Sequence, residues 1–326
     1  MVVLLTGAAG FVGRHVATLL GDLGHEVIGV GRRAATTARA PETLTGYRAL
    51  DLADEVAVGR LVREVRPERV LHLAADASVA ASWGDPKGTL DRNLAGAHAV
   101  LAAVREHAPE AGVLLACSGE EYGAVPVDRL PVREEEPLRP QNPYAVSKAA
   151  VDLLGGFFAD AHGLRVLRAR AFNHAGPGQS DAYVVSSFAR QVAEAEARAE
   201  AGAEPGTVLT GNLDARRDVT DVRDVARAYW TALEVGLTGP VNVCSERAPR
   251  VADLLVGLLE NAGTRVAHRT DPARSRPSEV AEVRGSARRL SEATGWRPEI
   301  PLERTLADTL DWWRERVATA PERVSA

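Results

Sequence analysis

Val2-Val3-Leu4-Leu5-Thr6-Gly7-Ala8-Ala9-Gly10-Phe11-Val12-Gly13 runs directly into His15-Val16-Ala17-Thr18-Leu19-Leu20, and the order of residue types in this stretch decides the fold. The short, partly β-branched apolar run predicts a strand buried on both faces. The glycines after it predict a tight turn, and the apolar spacing beyond them predicts a helix. Strand, glycine-rich turn and helix in that order make a phosphate-binding turn. Small residues let the backbone approach a pyrophosphate, and the helix N-terminus offers it free N–H groups and a positive dipole. Gly7, Gly10, Phe11, Val12 and Gly13 are therefore candidate dinucleotide contacts.

The following segments repeat the alternation. Glu26 to Val30 predicts a second strand, ending in Gly31-Arg32-Arg33. An NAD site usually has an Asp or Glu there, about 20 residues past the glycines, to accept from the adenosine ribose hydroxyls. Here Gly31 leaves room, and Arg32 and Arg33 can pair with a 2′-phosphate, so NADP(H) is favoured and NAD(H) remains open. Tyr47 to Leu52 predicts strand three, with Asp51 and Leu52 placed to meet the adenine. Val70 to Ala75 predicts strand four, and Leu73, Ala74 and Ala75 pass close to the cofactor if the sheet is parallel. His72, inside that apolar run, reads as a satisfied core histidine. Asp91 to Glu106 predicts a helix with Asn93 near its start. Val113 to Cys117 predicts strand five, which delivers Ser118 at its carboxyl end, where open α/β sheets place ligands. Leu164 to Ala171 predicts a sixth strand.

This rhythm means a Rossmann-type α/β fold, a doubly wound parallel sheet, with a smaller interwoven C-terminal substrate lobe. The expected cofactor domain is 1–172 with 218–245 returning to it, and the expected substrate lobe is 173–217 and 246–317.

Tyr144-Ala-Val-Ser-Lys148 carries the chemistry. Four residues apart on a helix that Pro143 opens, the phenol and the ammonium share one face and make a proton-transfer device. The chain uses arginine almost everywhere for a cation; its only lysines are Lys87 and Lys148. A lysine kept at this spacing suggests that a compact ammonium is required.

The 326 residues are 45% apolar and 25% charged with net charge −5, as in an ordinary soluble globular protein without an electrostatic footprint for nucleic acid. Cys117 and Cys244 are isolated, so no metal site or disulfide is expected, and a reducing cytoplasm fits. Met1 leads straight into Val-Val-Leu-Leu without a positive n-region or a long apolar run, so the expected location is cytoplasmic and unanchored.

Taken in order, Thr6 to Gly13, Ala74-Ala75, Asn93, Ser118 before Glu121-Tyr122-Gly123, Tyr144 to Lys148, and Arg170-Ala171-Phe172-Asn173 resemble the extended branch of the short-chain dehydrogenase/reductase family over about the whole chain. Within it, Phe172 to Gln179, Gly211 to Asp218, Thr220 to Val225, Arg276 to Val280, Gly295 to Pro298 and Asp311 to Arg314 look most like GDP-4-keto-6-deoxymannose reductases. The resemblance implies that Tyr144 is the proton donor or acceptor and that Ser118 hydrogen-bonds the reacting oxygen. It implies that Lys148 binds the nicotinamide ribose and lowers the Tyr144 pKa, and that Tyr144, Lys148 and Asn93 line the cofactor. Ser78, Asn173, Arg217, Arg276 and Glu279 would hold the nucleotide sugar, a paired arginine fork suiting its diphosphate. It further implies a homodimer through the helices near Asp91 to Glu106 and Tyr144 to Ala161.

The implied reaction is NADPH-dependent reduction of a C4 ketone on a GDP-linked 4-keto-6-deoxyhexose, giving GDP-rhamnose. One departure keeps an alternative open. Ser118-Gly119-Glu120 has the spacing of the Thr-x-Glu in which the family's 4,6-dehydratases use Glu as the C5 base, so Glu120 is a fourth catalytic candidate. An epimerase, and a non-catalytic NADP-binding homologue, also stay open.

Overall fold

The computed structural model describes residues 1–32, 41–274 and 280–319. In chain order it begins β1 (Val2–Thr6), α1 (Phe11–Asp22), β2 (Glu26–Gly31), β3 (Gly46–Ala49), α2 (Glu55–Val65), β4 (Arg69–His72), a short α3 (Val79–Ser82), α4 (Pro86–His107) and β5 (Gly112–Ser118). A 3-10 turn at Gly119–Tyr122 follows, then α5 (Pro143–His162) and β6 (Arg165–Ala171). The remainder is β7 (Asn173–Ala175), α6 (Val184–Glu200), β8 (Thr207–Thr210), β9 (Arg216–Arg217), β10 (Val219–Asp221), α7 (Val222–Glu234), β11 (Gly239–Val243), α8 (Val251–Glu260), β12 (Ala267–Thr270), β13 (Glu282–Val283), α9 (Arg288–Thr294) and α10 (Leu302–Thr319).

Among the described residues, seven strands pair in parallel in the order β11-β6-β5-β4-β1-β2-β3. The order reverses next to β1, and the crevice above such a switch point is where doubly wound sheets bind ligands. Apolar strand residues such as Leu4, Val30, Val70, Val113 and Leu115 pack against Val62, Val100, Val104, Val151 and Phe158 of α2, α4 and α5. Burying each such side chain contributes about 1.5–3 kcal/mol.

The expected helix from Asp91 starts five residues earlier, at Pro86, because Asp85 caps it: Asp85 Oδ1 accepts from Gly88 N at 3.0 Å. Asn93 therefore lies in the body of α4, not near its start. The fourth strand ends at His72, so Leu73, Ala74 and Ala75 form the loop beyond it.

The chain divides into two compact units. The first comprises 1–172, 223–244 and 285–297; the second comprises 173–222, 245–284 and 298 onward. Residues 218–222, residue 245 and residues 285–297 differ from the expected boundaries. Residues 218–222 stay with the second unit, where β10 pairs with β7 and Asp221 accepts from the Thr305 hydroxyl at 2.8 Å. Residues 285–297 join the first unit, because Ser286 N donates to Val132 O at 2.8 Å and Trp296 Nε1 to Asp224 O at 3.1 Å.

The second unit has its own core, in which Phe188, Val192, Leu254, Leu258, Leu306 and Leu310 bring α6, α8 and α10 together. Among the described residues, no helix is long and apolar enough to cross a membrane.

Candidate active site

The glycine turn is built as a backbone cradle. Gly7 has φ 72°, and a Cβ there would stand 2.8 Å from Ala74 N; a Cβ at Gly13 would stand 2.1 Å from Gly7 O. Only glycine fits either place. Gly10 caps α1 without a side-chain acceptor, and the first turn, which holds Phe11 and Val12, carries no acidic residue. With no carboxylate to compete there, the positive end of the helix dipole fits a dinucleotide pyrophosphate. Thr6 Oγ1 accepts from Ala74 N at 3.2 Å and lies 2.9 Å from His72 Nδ1, tying β1 to the loop after β4. Burial, then the charge of Lys148, lowers the His72 pKa to about 3, so this ring is a neutral core group, as expected.

The adenosine side differs from expectation. The space beside Gly31 is taken: a Cβ there would lie 2.2 Å from the phenol oxygen of Tyr47. Arg32 is exposed and pairs with Asp76 at 3.5 Å. Arg33 lies outside the described residues. Asp51 accepts from Ala53 N at 3.0 Å in a local turn, and Leu52 approaches α4 at Gly96.

At the carboxyl end of β5, Ser118 is 6% exposed. Its N–H donates to Glu121 Oε1 at 2.7 Å and its Oγ accepts from Glu120 N at 3.2 Å, a reciprocal cap on the 3-10 turn. The Oγ hydrogen remains available to a ligand oxygen. Helix α5 enters beside it. Asn142 Oδ1 caps the helix on Ala145 N at 2.8 Å, while Asn142 Nδ2 donates to Glu120 Oε2 at 3.1 Å.

One turn into α5, Lys148 is 5% exposed; its Nζ donates to Ala116 O at 2.6 Å and stands 6.0 Å from the Tyr144 ring centroid. Burial lowers the Lys148 pKa, opposed by the Cys117 and Glu121 charges. Asn93 braces the same turn: its Nδ2 donates to Ser147 Oγ at 2.8 Å and to Asp76 O, its Oδ1 accepts from Asp76 N, and Ser147 Oγ donates to Tyr144 O at 2.7 Å. Ser118, Glu120, Tyr144 and Lys148 are thus brought together on one corner of the sheet.

Beneath that corner lies a group of which the sequence shows Glu121, Tyr122 and Arg170 as motif residues without showing that they pair. Glu121 is fully buried, and burial, then the charge of Asp152, raises its pKa to about 8. Arg170 Nε stands 3.7 Å from Glu121 Oε2 and 2.9 Å from Asp152 Oδ2; Arg170 also donates to Tyr122 Oη at 2.9 Å, and Tyr122 Oη donates to Asn242 Oδ1 at 2.7 Å. Cys117, Glu121 and Asp152 each bring a donor within 4.8 Å of the others. The Arg170 guanidinium already serves as the cation for this set.

The expected substrate residues belong to separate elements. Ser78 caps α3, accepting from Ala81 N at 3.1 Å. Asn173 is exposed on β7 in the second unit, where Arg217 Nη1 donates to Arg216 O and Val280 O, both at 2.8 Å. Arg276 and Glu279 lie outside the described residues.

A family model described as GDP-mannose 4,6 dehydratase matches residues 4–309. The GDP-6-deoxy-D-mannose reductase of Pseudomonas aeruginosa is 38% identical over 315 residues, which cover 96% of this chain and 97% of that protein. GDP-mannose 4,6 dehydratase 2 of Arabidopsis thaliana is 29% identical over 332 residues, covering 95% of this chain and 86% of that one. Among solved structures, RMD from Pseudomonas aeruginosa complexed with NADPH superposes with TM-score 0.83 at 34% identity, covering 97% of this chain and 99% of that chain.

Proposed function

Because the chain belongs to the GDP-mannose 4,6-dehydratase family, within the extended short-chain dehydrogenase/reductases, we propose that this nicotinamide-dependent nucleotide-sugar enzyme is a reductase. It reduces the C4 ketone of a GDP-4-keto-6-deoxyhexose, GDP-4-keto-6-deoxymannose giving GDP-rhamnose, with NADPH as reductant. The observation that carries this is the Lys148 ammonium, anchored on Ala116 O beneath the Tyr144 ring, on the corner that also presents Ser118. The greater identity to a reductase than to a dehydratase supports it.

When bound, the cofactor supplies the hydride. Gly7, Gly10 and Gly13 hold its pyrophosphate by backbone, with Leu73, Ala74 and Ala75 lining the way to the nicotinamide. Hydride arriving at C4 leaves negative charge on O4, which calls for a fixed donor and an acid. Ser118 Oγ, oriented by the Glu120 N–H it accepts from, donates to O4. Tyr144 transfers its phenol proton to the same oxygen, and Lys148 stabilises the phenolate left behind. The first unit serves the cofactor and the second the nucleotide sugar, through Asn173, Arg217, Arg276 and Glu279.

The 4,6-dehydratase alternative needs Glu120 as a free base. Glu120 Oε2 accepts from the residue that caps α5, which suits a brace on the catalytic helix.

A homodimer belongs to the same proposal. Val146, Leu153 and Phe157 are 43%, 65% and 55% exposed at helical spacing on α5, an apolar stripe that a second copy would cover. Sedimentation equilibrium of the protein and of Phe157→Arg checks it. A dimer that the substitution weakens is expected, and a monomer in both would refute it.

Incubation with NADPH and a GDP-4-keto-6-deoxyhexose, followed by product NMR, tests the reaction. One NADPH oxidised per 6-deoxyhexose formed is expected. Conversion of GDP-mannose to a 4-keto product without net NADPH loss would overturn the proposal.

A further inference from the structure

The carboxyl end of β2 has an occupant that the sequence pattern hides. Tyr47 stands opposite Gly29 in the parallel β2–β3 register. Its ring runs along β2 toward the strand end: a Cβ at Gly29 would lie 3.2 Å from the ring Cδ2, and a Cβ at Gly31 would lie 3.3 Å from Cζ and 2.2 Å from Oη. Gly31 therefore does more than lack a carboxylate; its missing side chain is the seat of the phenol.

The seat adjoins the phosphate-binding turn. Gly7 N donates to Val30 O at 2.8 Å, and Ala8 N approaches the same oxygen at 3.4 Å. In dinucleotide-binding sheets the side chain ending this strand meets the adenosine ribose. Here the group at that place arrives from the neighbouring strand. Tyr47 is half-buried, and burial raises its pKa, so near neutral pH it is a neutral hydroxyl able to donate. A carboxylate would repel a 2′-phosphate. A phenol donates to one through a charge-assisted bond, stronger than its bond to a neutral ribose hydroxyl.

We propose that Tyr47 is a specificity-determining residue for the adenosine 2′ position, its hydroxyl donating to the 2′-phosphate of NADPH from the space that Gly31 vacates. This rests on the NADPH reading above. Tyr47→Phe removes the hydroxyl and keeps the ring that covers Gly29 and Gly31, so the fold is preserved. Gly31→Ala keeps the hydroxyl but pushes it from its seat.

NADPH and NADH are titrated by nucleotide fluorescence against the unmutated protein and both variants, with no sugar substrate present. In Tyr47→Phe the NADPH Kd is expected to rise about tenfold while the NADH Kd stays within about twofold, the loss of one hydrogen bond to a charged group. Gly31→Ala shifts the ratio in the same direction. An unmutated protein that prefers NADPH, with an unchanged ratio in Tyr47→Phe, overturns the role of Tyr47 alone. Equal weakening of both cofactors also overturns it, since that marks a packing role. An unmutated protein that binds NADH at least as tightly overturns the cofactor preference and the role together.

Discussion

Two places along the carboxyl edge of one sheet are built in opposite ways. At the carboxyl end of β5, Ser118, Lys148 and Glu121 are 6%, 5% and 0% exposed, each fixed by a bond of 3.2 Å or less to backbone or to a neighbouring group. At the carboxyl end of β2, the Arg32 side chain is 67% exposed and meets Asp76 at 3.5 Å. The buried corner holds donors and charges in set directions, as proton transfer requires. On the NADPH proposal the exposed edge would meet a phosphate, which tolerates several donor geometries. Substitutions at the corner should therefore cost rate or fold, while those at the edge should cost only affinity.

The largest effect belongs to the corner. Tyr144→Phe removes the transferable proton alone, and kcat should fall by about 10²–10⁴ with NADPH affinity retained. Stopped-flow absorbance at the nicotinamide band checks it, and near-normal turnover would remove Tyr144 from the mechanism.

Next comes the floor beneath it. Arg170→Ala takes from buried Asp152 one of its two arginines, Arg168 remaining at 2.8 Å, and leaves Glu121 without its guanidinium neighbour, a loss of about 3 kcal/mol of stability, the low end of the usual cost of breaking a buried pair. Urea unfolding of the variant would show a midpoint close to that of the unmutated protein if the network were unimportant.

Glu121 gives a smaller, pH-dependent effect. Its folded pKa of about 8 lies above the ordinary value of 4.5, so across that window the native state keeps a proton that the unfolded state releases. The stability tied to this proton is fully present below about 4.5 and is lost as pH rises through about 8. Glu121→Gln, neutral throughout, should flatten the decline between pH 5 and pH 8.5. Equal slopes in the two proteins would show that this carboxyl does not titrate there.

The smallest effect lies at the edge. Arg32→Ala should leave the thermal midpoint unchanged and weaken NADPH binding about fivefold, an exposed charge contributing about 1 kcal/mol. A shift in the midpoint, or a lost fold, would erase the contrast between the two places.

What the sequence shows follows the same contrast in range. The turn from Thr6 to Gly13 and the pair Tyr144 and Lys148 are legible because each is made within one or two helical turns of chain. Glu121 is legible only as a member of the Glu121-Tyr122-Gly123 motif; its burial is not, because its partners Asp152 and Arg170 come from α5 and β6. Tyr47 is hidden because its place depends on the register between β2 and β3. Asn93 is visible as a candidate, but its link to Ser147 across 54 positions, which braces the turn carrying Tyr144 and Lys148, needs α4 and α5 side by side. The start of α4 could have been read from Asp85-Pro86, a cap followed by a first-turn proline.

On the reductase proposal, this corner protonates the oxygen of a ketone already present as NADPH reduces it, with Glu120 bracing the helix. The most direct measurement follows deuterium from NADPH labelled at C4 of the nicotinamide into the product of a GDP-4-keto-6-deoxyhexose, read by NMR for the unmutated protein and Glu120→Gln. One deuterium at sugar C4 per NADPH consumed is predicted in both proteins. Absence of label from the product, with GDP-mannose deuterated at C4 instead returning its label at C6 and Glu120→Gln inactive, would contradict it.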